Sequence, residues 1–292
     1  MKPASRVTTG PDQTLDMMEA TSTKPSSLTT TARSMVTAWD LLVAVTLRDV
    51  KVRYQGTVLS YIWWIARPLA LGLVLYFALG RVLRLDVEGS GVYVANYGVF
   101  LIAGLFPWFW FSGAVQQSAS AIVANGGLLK KVRFPRLILP LSAVFFNTVQ
   151  FLLTLPILAV FVLVAGIDPD ITWAVGIPLL LGLQLVMLMG LGMLVAALNV
   201  FFRDLGPLIE VVLLLMFYTS GVIFPLERVP ERFQPIVKLS PMTTLLEAWR
   251  DLFLRGSLPG LELWPAVVGT AVVVVIGVTT FRTLERFFAD AL

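Results

Sequence analysis

Six apolar runs, each near or above twenty residues, occupy most of the chain between Val58 and Phe281 and constrain its fold more than any other feature. A helix rises about 1.5 Å per residue, so about 20 residues cross the ~30 Å hydrocarbon core of a bilayer. The runs lie at 58–79, 97–123, 137–165, 171–198, 205–224 and 263–281. Their apolar residues are continuous rather than alternating, which argues against membrane strands. The prediction is an all-α, polytopic membrane protein with six transmembrane helices in a domain spanning 58–288. Composition agrees, since 57% of residues are hydrophobic and 14% charged, against about 25% charged in soluble domains.

Two flanking segments precede the spans. Residues 1–34 are rich in Ser, Thr and Pro without apolar period and read as a flexible cytoplasmic tail, with no secretory signal. Within 35–57, Val36, Trp39, Val43, Leu47, Val50 and Tyr54 fall within about 40° of one line on a helix, while Arg48, Lys51 and Arg53 occupy other faces. This pattern predicts an amphipathic helix lying along the membrane surface.

The distribution of basic residues orients the chain. With the N-terminus in the cytoplasm and six crossings, the inside segments hold fifteen Lys and Arg and the outside segments seven, the latter mixed with nine acids. Both termini are predicted cytoplasmic. The net charge of +4 is thus a topology signal, and nucleic acid is not an expected partner. The outer segment 225–261 is too charged to span. Its Leu245, Leu246, Trp249, Leu252 and Phe253 recur at helical spacing among Glu247, Arg250 and Asp251, and five prolines divide it. Two short helices re-entering the outer leaflet fit this pattern, as does a structured external loop.

The missing residues matter as much. There is no cysteine and no histidine, which removes thiol catalysis, Ser-His-Asp chemistry and Cys- or His-ligated metals, and no metal site is predicted. None of the six lysines follows a glycine, so the chain has no phosphate loop of the GK[ST] type. Only Arg67 and Glu210 lie inside apolar runs, both near the predicted cytoplasmic boundary, so no proton relay is built at mid-membrane. Aromatic residues are dense: Tyr61, Trp63 and Trp64 in the first run, Phe106, Trp108 and Trp110 in the second, Phe217 and Tyr218 in the fifth. Interfacial belts and helix packing account for many such residues. A track of aromatic faces along a pathway accounts for them too, because sugar rings stack their C–H faces on aromatics. The loop 125–136 carries Leu128, Leu129, Lys130, Lys131, Arg133 and Phe134. It suits anionic headgroups and equally a groove on a cytoplasmic partner.

Four stretches taken together resemble the membrane subunits of ABC-type polysaccharide exporters, the permeases for lipid-linked O-antigen, capsule, teichoic acid and cell-wall galactan. They are Arg48 to Trp64 running on to Pro68, Leu129 to Ser142, Leu198 to Pro225, and Leu239 to Arg250. Their order and spacing cover about Val36 to Phe288, leaving out the tail. The resemblance implies a homodimer of six-helix subunits in the bacterial inner membrane, with two copies of a separate ATPase that hold ATP and Mg, so that this chain itself carries no cofactor and is not an enzyme. It further implies that the interface helix with Arg48, Lys51 and Arg53, together with the 125–136 coupling loop, contacts the ATPases. The segment 225–261, with Pro225, Leu245, Trp249 and Arg250, would form two outer gate helices, and the aromatic residues above would flank a channel. Arg67 departs from a position more often uncharged in that family. The expected substrate is a polyprenyl-pyrophosphate-linked polysaccharide, with Arg48, Arg53 or Arg67 attracting the pyrophosphate. The alternatives are an exporter of small molecules or lipids on the same fold, a secondary carrier, and a polyprenyl-phosphate transferase. The last would need an acidic metal motif, and the inside loops offer only Asp49 and Asp204, each beside an arginine.

Overall fold

A computed structural model describes residues 40–48, 51, 59–82, 97–127, 135–202 and 204–291. The chain divides into Met1–Leu41, of which only Asp40 and Leu41 are described, and Leu42–Leu292. Every regular element among the described residues is helical. In chain order, α1 covers residues 40–48, α2 is Leu59–Leu75 and continues as a π-helix over Tyr76–Val82, α3 is Tyr97–Ala124, α4 is Ile138–Val164 and α5 is Thr172–Phe201. They are followed by α6 Leu205–Thr219, α7 Gln234–Lys238, α8 Pro241–Arg255, α9 Trp264–Leu284 and α10 Phe288–Ala291.

Four stretches are long and apolar enough to cross a membrane: Tyr97–Ala124, Ile138–Val164, Thr172–Phe201 and Leu261–Phe287. Two further apolar helices are shorter, Ile65–Leu79 and Leu205–Thr219. The shortness of α6 has a local cause. The fifth apolar run continues to Phe224, but the helix ends at Thr219 and the chain turns at Gly221, which adopts φ 73°, a conformation that favours glycine. The next residues, Val222 and Ile223, are buried outside any helix, and their carbonyls are taken by side chains of other elements.

In α1, Leu42 and Thr46 are buried while Val43 and Leu47 are 38% and 53% exposed. The apolar stripe read from the sequence therefore faces away from the protein where it is described. Trp39, Val50, Arg53 and Tyr54 lie outside the described residues.

The core is built around α3. In its most apolar stretch 78% of residues are buried, against 28% for the α9 stretch, so α3 is central and α9 peripheral. It packs on α4 and α5, and α9 runs along α5. Small residues let two of these helices meet backbone to backbone: a Cβ on Gly277 would lie 2.0 Å from the Gly190 carbonyl oxygen. This is the close-packing device of membrane helices, which lack a hydrophobic drive to associate in lipid.

Helix α8 begins with Pro241 at its first turn and ends at Gly256 in the left-handed conformation, φ 62°, the usual stop and start residues. Its apolar face, Met242, Leu245, Leu246, Trp249, Leu252 and Phe253, is almost wholly buried against α3, α5 and α9. Polar groups inside this apolar interior are paired. Gln184 of α5 is fully buried, donates through Nε2 to the Pro107 carbonyl at 3.0 Å and accepts from Trp249 Nε1 at 2.8 Å. Three elements are thereby tied at one amide. Replacing Gln184 by leucine leaves the Trp249 N–H without an acceptor and is expected to cost about 1–3 kcal/mol. Thermal unfolding of the detergent-solubilised protein should move down by several degrees, and an unchanged midpoint would remove the amide from the stabilising set.

At the opposite end, the C-terminal segment folds back on the base of the bundle. Phe288 is fully buried with Phe281, Ile122 and Val200, and Arg136 donates to the Glu285 carbonyl.

Candidate functional site

A groove of about 1080 Å³ runs between α2, α3, α4 and α6 and reaches the end of α5. It is at the upper end of ordinary small-molecule sites, about 300–1,000 Å³. Its walls differ in chemistry. One is aromatic, with Phe106, Trp108 and Phe109 of α3 facing Phe217 and Tyr218 of α6. The Trp108 ring lies 5.7 Å from Phe217 and 5.4 Å from Phe111, and Tyr218 stands edge-on to Phe217 at 5.4 Å.

The other wall is polar and uncharged. Asn147, Gln150 and Thr154 line the groove from α4. Spaced by three and four residues, they form one stripe of a helix. Gln116, Gln117 and Ser120 continue it on α3. Asn147 Nδ2 donates to Gln117 Oε1 and to the Ala143 carbonyl, both at 2.8 Å. A Cβ on Gly113 would lie 2.6 Å from Asn147 Oδ1, so glycine there makes room for the amide. Thr154 donates to the Phe151 carbonyl at 2.6 Å. Asn199, at the end of α5, donates to the Ala119 carbonyl at 2.9 Å, while its Oδ1 is buried without a partner among the described residues. Arg67 and Glu210 are the only charged residues among the described lining.

The sequence-derived candidates separate into three groups. Phe106, Trp108, Trp110, Phe217 and Tyr218 come together on the groove, where the first four are largely buried by packing and only Tyr218 is open, at 55% exposed; Trp110 stacks on Phe151 at 4.6 Å and donates to Thr148 Oγ1 at 3.2 Å. Arg67 is exposed and lines the same groove. Trp63 is 68% exposed and does not line it. Tyr61 and Trp64 belong to α2, but their side chains lie outside the described residues. Arg48 and Lys51 are exposed and away from the groove lining. Arg53 and the 128–134 part of the basic loop, with Leu128, Leu129, Lys130, Lys131, Arg133 and Phe134, fall outside the described residues.

The outer candidates form a second cluster. Pro225 and Arg250 line a smaller cavity of about 270 Å³ with Lys238, Glu247 and Asp251, while Leu245 and Trp249 are fully buried. Arg250 itself is 3% exposed. It donates to the carbonyls of Gly221 at 2.7 Å, Val222 at 2.6 Å and Phe100 at 3.3 Å, and its guanidinium lies 3.7 Å from the centre of the Phe100 ring. Tyr97 supplies the neighbouring bond, from its hydroxyl to the Ile223 carbonyl at 2.9 Å. Together they hold the 220–225 turn against α3 and α8.

The polar wall was absent from the sequence reading, which looked for ionisable groups in the spans. The signal was there: Gln116, Gln117, Asn147, Gln150 and Thr154 are amides and a hydroxyl inside apolar runs, and such groups are expensive in lipid unless paired or lining a cavity.

Residues 40–254 match the family described as ABC-2 type transporter. The chain is 37% identical over 255 residues to the O-antigen export system permease protein RfbA of Klebsiella pneumoniae, covering 87% of this chain and 95% of that protein. It is 32% identical over 256 residues to the RfbA of Myxococcus xanthus, covering 86% and 95%. With the polysialic acid transport protein KpsM of Escherichia coli it shares 25% identity over 244 residues, covering 83% and 93%.

Proposed function

The chain belongs to the ABC-2 type transporter family, and from that premise we propose that it is the membrane subunit of an ATP-driven exporter of a lipid-linked polysaccharide of the O-antigen kind. The observation that carries the reading is the groove: the accessible aromatics Phe109 and Tyr218 and the accessible polar groups of Gln116, Gln117 and Ser120 offer a sugar chain weak contacts, which suits a polymer that must slide. The similarity to O-antigen permeases over nearly their whole length supports the same substrate class.

In this reading six segments cross the inner membrane, the short α2 and α6 completing the four long spans, and both termini are cytoplasmic. The exposed Val43 and Leu47 of α1 support a helix lying in the interface. Two copies of the chain pair, and two copies of a separate ATPase dock on the 125–136 loop. Arg67, on the groove near its cytoplasmic end, attracts the pyrophosphate of the lipid carrier. Helices α7 and α8 form the outer gate, with α8 anchored by Arg250.

The test uses the chain co-purified with the ATPase encoded beside it and reconstituted in nanodiscs. A polyprenyl-pyrophosphate-linked glycan is expected to stimulate ATP turnover, and an absent response would reject the export reading. In that assay Tyr218→Ala, at a groove residue that is 55% exposed, should reduce stimulation several-fold with assembly intact. Changing Lys130, Lys131 and Arg133 together to glutamate should uncouple turnover from the glycan, and normal coupling would remove the loop from the mechanism.

A further inference from the structure

We propose that the groove is built for uncharged sugar units and disfavours polyanionic glycans, an inference that rests on the export reading above. The charge inventory is the first argument. Among its described lining residues the groove has one cation, Arg67, and one anion, Glu210. A chain bearing a carboxylate on each sugar would have to bring successive negative charges past walls that supply no matching series of cations. Each charge would lose hydration without a partner, which is costly in a membrane interior.

The hydrogen-bonding inventory is the second argument. Amides both donate and accept, and so do sugar hydroxyls. Gln117 uses Oε1 to accept from Asn147, which leaves its amino group as a donor. Asn147 uses its amino group on Gln117 and Ala143 and packs its Oδ1 against Gly113, so it orients the Gln117 amide. Gln116 is exposed on the same wall. The exposed Gln116 and Ser120 and the half-buried Gln117 therefore give this wall neutral donors and acceptors together. A neutral pyranose presents hydroxyls of both kinds on its rim and C–H faces above and below. A carboxylate only accepts and leaves the acceptor positions opposed by like dipoles.

The test measures binding of two fluorescently labelled probes of equal length, an uncharged mannose octamer and a sialic acid octamer, to the full chain with its ATPase in nanodiscs. The mannose octamer is expected to bind about tenfold or more tightly than the sialic acid octamer. Gln116→Arg and, separately, Ser120→Arg add a cation at exposed positions of the polar wall and should shift that ratio toward the anionic probe about fivefold or more. Equal or tighter binding of the sialic acid octamer by the unaltered protein would overturn the inference while leaving export standing. A ratio unmoved by both arginine substitutions would overturn the assignment to this groove. Absence of binding by either octamer, with ATP turnover still stimulated by the lipid-linked glycan, would overturn the inference and leave export standing, whereas no response to the lipid-linked glycan would overturn both.

Discussion

Replacing Arg250 by leucine is expected to prevent the protein from reaching a stable folded state in the membrane. The guanidinium is buried and holds the carbonyls of Gly221 and Val222 at 2.7 and 2.6 Å. Those carbonyls belong to a turn, so no helical N–H replaces the lost donor, whereas the Phe100 carbonyl lies within α3 and keeps its helical setting. Each orphaned buried carbonyl costs about 1–3 kcal/mol, and the stacking over Phe100 at 3.7 Å adds about 1–2 kcal/mol when desolvated. Together these come to about 3–8 kcal/mol, a large part of the ~5–15 kcal/mol that holds a typical protein folded. Gly104 leaves no slack, since a Cβ there would lie 2.3 Å from Arg250 Nη2. Arg250→Lys should be intermediate, because an ammonium cannot span two carbonyls with a planar fork. The measurement is the monodisperse fraction of detergent-solubilised protein in size-exclusion chromatography. A wild-type profile for Arg250→Leu would show that the turn holds without the arginine.

Gly277→Val is expected to be equally severe, for a different reason. The Cβ of any residue at 277 would lie 2.0 Å from the Gly190 carbonyl oxygen and 2.8 Å from its carbonyl carbon. Both are backbone atoms, so no rotamer change makes room, and the partner residue is already glycine. Helices α5 and α9 would have to separate along their whole contact, at about 3 kcal/mol or more. The contrast with Gly176 sharpens the test. A Cβ there meets the Leu252 side chain at 2.4 Å, so Gly176→Ala should be relieved by Leu252→Ala, while no second truncation should rescue Gly277→Val. Recovery of Gly277→Val by shortening a neighbouring side chain would refute backbone contact as the cause. A control at Val275, 61% exposed on the same helix, should leave the profile unchanged.

How much of this was readable beforehand depended on the kind of interaction. Helix identity in the apolar runs followed from solvent alone, because lipid forces each backbone to satisfy itself. The end of the fifth run did not: hydropathy carries on to Phe224, and only Gly221 and the donors from Tyr97 and Arg250 explain why the helix stops at Thr219. In the outer segment the spacing of Leu245, Leu246, Trp249, Leu252 and Phe253 allowed two short helices or a structured loop, and these residues lie on α8. That Arg250 in the middle of this pattern would be 3% exposed was not readable, because its acceptors lie about 30 residues earlier and on α3. The aromatic candidates were named as a class, yet spacing alone does not separate Tyr218, which is open on the groove, from Trp108 and Trp110, which are buried by packing. The polar wall was missed because each amide is a single residue in an apolar run, and only the pairing of α3 with α4 turns Gln117 and Asn147 into one surface.

The sequence by itself determined the all-helical architecture, the apolar segments and the absence of thiol, imidazole and phosphate-loop chemistry, because these follow from composition and from local period. Only the tertiary structure decided which side of each helix is lined, bonded or jammed against a neighbour. The rotation of one helix against another is set by contacts such as Gly190 with Gly277, Gln184 with Trp249 and Arg250 with the 220–225 turn, which join residues far apart in the chain and leave no periodic trace in it.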